Sequence, residues 1–245
     1  MLGNPLLPVL FIWDFDGVVV FTPHYEAWMN ACVKHGLRGF NHEFYDKYVS
    51  GRPRIEGALA ILEKLGGYSR EYLLWGEGRR ILEEFMEYKN EVFRSLIKEN
   101  KFEVNMDAVN YIASAREAGI IQALASASRN AEIIARHARL PRSNKPLVEL
   151  FDVNVSGRAS SKLEVFKLAL REAEEKAGGR ILECVIVYED SLSGIRAAKQ
   201  LGLKTVGYNL PSNMDPGRVG VDLVIERFSE HTPLEIVYSV GCRLP

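Results

Sequence analysis

Two aspartates, Asp14 and Asp16, stand one residue apart at the end of the apolar run Val9–Trp13, and a second acidic pair, Glu189 and Asp190, ends the run "CVIVY". In an extended strand residues i and i+2 face the same side, so Asp14 and Asp16 are expected to share a face, each raising the cost of ionising the other. If both runs end at one sheet edge, four carboxylates converge there and require a cation, and hard oxygen ligands suit Mg²⁺. A carboxylate is also a nucleophile that can hold a covalent phosphoryl group. That chemistry needs a hydroxyl and a cation on the phosphoryl oxygens and a nearby acid/base. Asp14 is placed to attack, Asp16 to move the proton, Ser126 to donate to an oxygen and Lys162 to hold the charge. The plain alternative is helix capping, for which Ser, Asp and Asn are ordinary residues. Capping suits Ser128 or Ser191, explains Glu189 poorly and leaves the Asp14/Asp16 pair without a reason. Lys162 alone reads more often as a solvated first-turn lysine, although a cation there opposes the helix dipole and leans slightly towards anion binding.

The elements that must position these groups alternate. From Met106 onward the helical patterns "MDAVNYIASAREAG", "RNAEIIARHARL", "SKLEVFKLALREAEEKAGG" and "SLSGIRAAKQLG" are separated by the short apolar runs "IIQALAS", "LFDVNVSG", "ECVIVYED", "KTVGYNL" and "DLVIE". Continuous apolar runs, rather than alternation, indicate strands covered on both faces, hence a parallel sheet. Ligands of such sheets bind beyond the carboxyl ends of the strands, where Asp14, Ser126 and Glu189 fall. Residues 22–104 show helical periodicity instead and read as an insertion. The expected organisation is an α/β, Rossmann-like, mostly parallel sheet core (1–21 and 105–245) with an inserted α-helical cap (22–104).

Within the insertion, Pro53 is expected at the first helical position, with Arg54 beside it. An anion at that helix start would satisfy both Arg54 and the free N–H groups; two solvated arginines are the plain alternative. Lys89 falls in an apolar stripe of Ile81, Phe85, Tyr88, Val92 and Leu96 at helical spacing. A lysine there needs a partner or a lowered pKa, unless its stem runs along the stripe to water.

The 245 residues are 47% apolar and 26% charged with net charge −1, an ordinary globular composition that points to no nucleic-acid or membrane partner. The start "MLGNPLLPVLFIW" lacks the basic region and cleavage site of a leader, and no apolar run reaches the ~18 residues of a membrane span. Three cysteines, Cys32, Cys184 and Cys242, without metal-ligand spacing read as reduced thiols, and the expectation is a cytoplasmic monomer.

"DFDGVVV", "LASASRN", Lys162 and "VYEDSLSGIRAAK" stand in the order of the four motifs of the haloacid dehalogenase superfamily, which the chain resembles over nearly its whole length, with a C1-type cap after the first motif. The resemblance implies Asp14 as nucleophile, Asp16 as general acid/base, and Mg²⁺ held by Asp14, the Asp16 carbonyl, Glu189 and Asp190. Phosphoryl transfer is favoured, because the dehalogenases do not need this metal cluster. His24 followed by "AW", Arg54 in "GRPR", Lys89 in "YKN" and "ASASRN" further resemble the β-phosphoglucomutases. That likeness implies that His24 and Lys89 help close the cap over a sugar phosphate, while Arg54, Ser128, Arg129 and Asn130 hold the phosphate that is not transferred. The chain departs from the pattern in a short hinge with Phe21 where an aspartate is usual, in a compressed "SSKLEVF", and in a long "RLPRSNKPLVELF". The same site admits a phosphatase in which water replaces the sugar hydroxyl. A catalytically silent binding protein of the same fold is the reading from another class, and the intact Asp14, Asp16, Lys162, Glu189 and Asp190 argue against it.

Overall fold

A computed structural model describes residues 7–141, 143–180, 182–210 and 214–244. The elements run β1 (Val9–Trp13), β2 (Val20–Phe21), α1 (His24–Lys34), α2 (His42–Tyr48), α3 (Arg54–Lys64), α4 (Arg70–Leu74), α5 (Gly76–Lys98), β3 (Glu103–Val104), α6 (Met106–Glu117) and β4 (Ile121–Leu124). They continue with α7 (Arg129–His137), β5 (Val153–Asn154), α8 (Lys162–Lys176), β6 (Cys184–Glu189), α9 (Leu192–Gln200), β7 (Lys204–Tyr208), α10 (Pro216–Val219), β8 (Leu223–Ile225) and α11 (Pro233–Ser239). The chain forms two compact units, one of Met1–Phe21 with Glu103–Pro245 and one of Thr22–Phe102.

In the first unit six strands pair in the order β5-β4-β1-β6-β7-β8, all parallel. Both faces are covered, which is why the strands are apolar without alternation. On one face Leu10, Ile12, Ala123 and Val187 pack with Val165, Phe166 and Ala169 of α8. The other face is aromatic: the Trp13 and Tyr188 rings stack at 4.0 Å, and Tyr111 and Phe228 lie against them. The buried indole N–H of Trp13 donates to Gln122 Oε1 at 2.8 Å, so this face buries no unpaired indole. Helix α6 ends with Gly119 at φ +83, the left-handed position that glycine takes without steric cost.

The structure departs from the sequence expectations at several points. Strand β1 stops at Trp13, so Asp14 and Asp16 sit on the loop beyond it and not within a strand. Pro53 has extended backbone and precedes helix α3, leaving Arg54 as its first residue. The insertion's junction carries a two-residue antiparallel ribbon, β2 with β3, too short to leave a periodic signature. Finally, Cys184 and Cys242 are joined as a disulfide, and only Cys32 is a free thiol. The two lie 58 residues apart in sequence, and it is the return of α11 to the start of β6 that brings their Cα atoms to 5.8 Å. Cysteine parity and spacing carry no trace of that approach.

The second unit is helical, with a core of Trp28, Ala31, Leu59, Leu62, Leu82 and Phe85 among others. The buried stripe of α5 runs through Leu82, Phe85, Lys89, Phe93 and Ile97, while Ile81, Tyr88, Val92 and Leu96 are only half-buried. The expected stripe is therefore rotated by one residue, which moves Lys89 to its centre. No helix among the described residues is long and apolar enough to cross a membrane.

Candidate active site

The sheet order turns at β1, whose neighbours β4 and β6 lead in opposite directions. Such a switch point opens a crevice at the carboxyl ends of the strands, and Asp14 leaves β1 there. Its N–H donates to Tyr188 O at 3.0 Å, extending the β1–β6 ladder by one bond and fixing where the side chain departs. The chain then turns, with Gly17 at φ +86 and its N–H donating to Val20 O. A Cβ on Gly17 would overlap the Asp190 carboxylate. Gly17 thus serves twice, through its backbone conformation and through the space it leaves. Sequence reasoning used it only as a letter of a motif; a glycine directly after an acidic pair was the available signal.

Lys162 is the first residue of α8, behind the Ser161 N-cap; its ammonium forms an ion pair with Asp14 Oδ1 and donates to Glu189 Oε1 at 2.5 Å. A solvated first-turn lysine is excluded. Asp14 is 4% exposed and Glu189 is fully buried. Burial, then the neighbouring Glu189, raises the Asp14 carboxyl to about 7 against the pull of Lys162. Asp190 is pushed well above the carboxylate range by burial and then by Glu189 and Asp14. Burial works against the charge on Lys162, yet Asp14 and Glu189 outweigh it and keep the ammonium protonated. One ammonium cannot neutralise three neighbouring carboxylates, and the site is short of positive charge.

Oxygens of Asp14, Glu189 and Asp190 lie within 4.8 Å of one another. This all-oxygen set, partly desolvated and cation-poor, fits a hard divalent ion such as Mg²⁺. Asp16 is half-buried on the turn, and its charge contributes to the raised Asp14 value.

Ser126 is buried two residues beyond β4, and its Oγ accepts the Ser128 N–H at 3.1 Å. Ser128 caps α7, its Oγ accepting from Asn130 N–H, so the capping role is real at this position. Asn130 is the second residue of that helix and half-buried; Arg129 is the first, and its side chain lies outside the described residues.

In the helical unit Lys89 is 3% exposed. Its ammonium donates to His24 Nδ1 at 2.9 Å and lies 4.6 Å from the Phe93 ring centroid and 5.2 Å from that of Trp28. The stem does not reach along the stripe to water. His24 opens α1 with its ring stacked on Phe93 at 4.3 Å. Burial, then Lys89 and Arg54, holds its pKa well below the usual histidine value. The imidazole is therefore neutral and can accept from the ammonium. Arg54 is exposed at the start of α3. These three groups make a second cationic cluster, within the helical unit.

The family model of haloacid dehalogenase-like hydrolases matches residues 9–202. The chain is 28% identical over 217 residues to the phosphorylated carbohydrates phosphatase of Thermotoga maritima, covering 84% of this chain and 87% of that protein. The solved structure of an archaeal β-phosphoglucomutase from Pyrococcus sp. strain ST 04 superposes with a TM-score of 0.81 at 41% identity, covering 95% of this chain and 99% of that one. The structure of CbbY from Rhodobacter sphaeroides in complex with phosphate shares the fold at a TM-score of 0.64 and 24% identity, over 92% of this chain and 96% of that one. Parallel sheet, switch-point carboxylates and matched motifs agree: this chain is an enzyme and belongs to the haloacid dehalogenase-like hydrolase family.

Proposed function

We propose that this enzyme moves the phosphoryl group of a sugar phosphate through a covalent intermediate on Asp14, and that its reaction is the β-phosphoglucomutase isomerisation of β-glucose 1-phosphate to glucose 6-phosphate. The observation that carries the first half is the buried Asp14 carboxylate, paired to Lys162 at the carboxyl end of the central strand. The second half is supported by the 41% identity to the Pyrococcus structure and by the His24–Lys89–Arg54 cluster, a cationic set separate from Lys162. A mutase needs such a set because its bisphosphate intermediate carries two phosphates.

In this reading an Asp14 oxygen attacks phosphorus, the bond to the sugar oxygen breaks, and Asp16 gives that oxygen its proton. The group then passes from Asp14 to O6 of β-glucose 1-phosphate, with Asp16 taking the hydroxyl proton. The resulting bisphosphate turns round and returns its C1 phosphoryl to Asp14, and glucose 6-phosphate leaves. Lys162 and the Ser126 hydroxyl hold the phosphoryl oxygens. By resemblance to the β-phosphoglucomutases, Arg54, Ser128, Arg129 and Asn130 are assigned to the idle phosphate, and His24 and Lys89 to the sugar. Mg²⁺ held by Asp14, the Asp16 carbonyl, Glu189 and Asp190 supplies charge neutralisation at the phosphoryl group. The substrate is a small phosphorylated metabolite and the enzyme acts as a monomer.

The likeness to the Thermotoga phosphatase favours a second reading, in which water attacks the phosphorylated Asp14. Supplying β-glucose 1-phosphate, Mg²⁺ and a trace of glucose 1,6-bisphosphate separates the two. Glucose 6-phosphate as the main product is expected; inorganic phosphate as the main product replaces the mutase with the phosphatase.

A further inference from the structure

We propose that Ser191 is a positioning residue for the metal centre, holding Glu189 in the orientation that the cation requires; this rests on the phosphoryl-transfer reading above. Ser191 directly follows the acidic pair and is itself buried. Its N–H and its hydroxyl both donate to Glu189 Oε2, at 3.0 and 2.8 Å. The same Oγ accepts the Gly194 N–H at 3.1 Å as N-cap of α9, and lies 3.3 Å from Ser193 Oγ. A serine hydroxyl has one hydrogen, and an ionised carboxylate can only accept. The Ser191 hydrogen is therefore committed to Glu189, while its lone pairs serve the cap.

A cap needs no such hydrogen, so capping accounts for half of what Ser191 does. The other half falls on a fully buried carboxylate whose second oxygen, Oε1, receives Lys162 at 2.5 Å. A Cβ on Gly194 would overlap that carboxylate, so Glu189 rests directly on the first turn of α9. Clamped on Oε2 from one side, Glu189 presents Oε1 towards Asp14 and Lys162. Losing the hydroxyl removes one of the two donors that hold Oε2 in place and leaves the backbone N–H alone there.

Removing a group that hydrogen-bonds a metal-ligating side chain commonly lowers affinity about 10- to 100-fold. The test is a calorimetric Mg²⁺ titration of the metal-free protein, with thermal melting as the fold control. Glycine serves almost as well as serine as an N-cap, so Ser191→Gly preserves the cap and removes the hydroxyl. Ser191→Gly and Ser191→Ala are expected to raise the Mg²⁺ dissociation constant about tenfold or more. Ser191→Thr, which keeps the hydroxyl, is expected to stay within about threefold of wild type. A pure capping role predicts the opposite pattern, wild-type Mg²⁺ affinity in Ser191→Gly with lowered melting only in Ser191→Ala. That pattern overturns the inference and leaves the proposed function intact. A wild-type protein that binds no Mg²⁺ overturns both.

Discussion

Reducing the Cys184–Cys242 disulfide should lower the stability of the sheet unit without unfolding it. The bond joins the first residue of β6, the strand that ends at Glu189, to the segment after α11, the last helix. It closes a loop of 58 residues. The chain-entropy relation for such a loop gives about 14 cal/mol/K, or about 4 kcal/mol at 25 °C. For a domain of this size each kcal/mol moves the melting temperature by about 2–4 °C, so the expected drop is about 8–16 °C. Reduced Cys184 stays buried as a small apolar side chain, so the fold itself persists. Scanning calorimetry with and without a phosphine reductant, and on Cys242→Ser, reads the effect. Alkylation of the denatured, unreduced protein reads the bond directly and is expected to label Cys32 alone. Burial pushes the Cys32 thiol up to about 12, so it stays unreactive in the fold, and Cys32→Ser should leave the reductant effect unchanged. Labelling of all three cysteines before reduction would refute the reasoning. So would equal melting temperatures for oxidised wild type, reduced wild type and Cys242→Ser.

Two further outcomes follow from the site. The folded Asp14 carboxyl titrates at about 7 against an ordinary 3.8, so between these values the folded protein keeps a proton that the unfolded chain releases. Metal-free stability relative to Asp14→Asn should therefore fall as pH rises through that window. The stabilisation by added Mg²⁺ should grow over the same range, because the ion needs the deprotonated carboxylate. Melting curves from pH 4 to 8 that run parallel for the two proteins would contradict this. Arg54→Ala should slow bisphosphate-dependent isomerisation about 10- to 100-fold, the usual scale for a charge-assisted hydrogen bond to phosphate, and should leave hydrolysis of p-nitrophenyl phosphate nearly unchanged. Equal losses in both assays would remove Arg54 from recognition of the second phosphate.

Fold class and family were legible because both depend on local pattern. Apolar runs such as Val9–Trp13 are covered on both faces in a parallel sheet, and strand-end motifs keep their order along the chain. Helix periodicity likewise exposed Lys89 as a buried cation, although the stripe was one residue out of phase. A 3.6-residue repeat fixes a face only to within one position until a partner helix selects it. The identity of the partner was beyond reach: that Lys89 meets a neutral His24, 65 residues away, depends on how α1 packs on α5.

The sequence by itself determined which chemistries were available: carboxylates at strand ends, one lysine at a helix start, and hydroxyls after two strands. Tertiary structure alone decided how they are paired. Lys162 bridges Asp14 and Glu189, Gly17 makes room for Asp190, and Cys184 reaches Cys242. Each of these is a contact between groups brought together by strand order or by the close approach of a turn. Periodicity and spacing describe the chain one segment at a time, whereas such contacts exist only once the sheet has set which segments are neighbours.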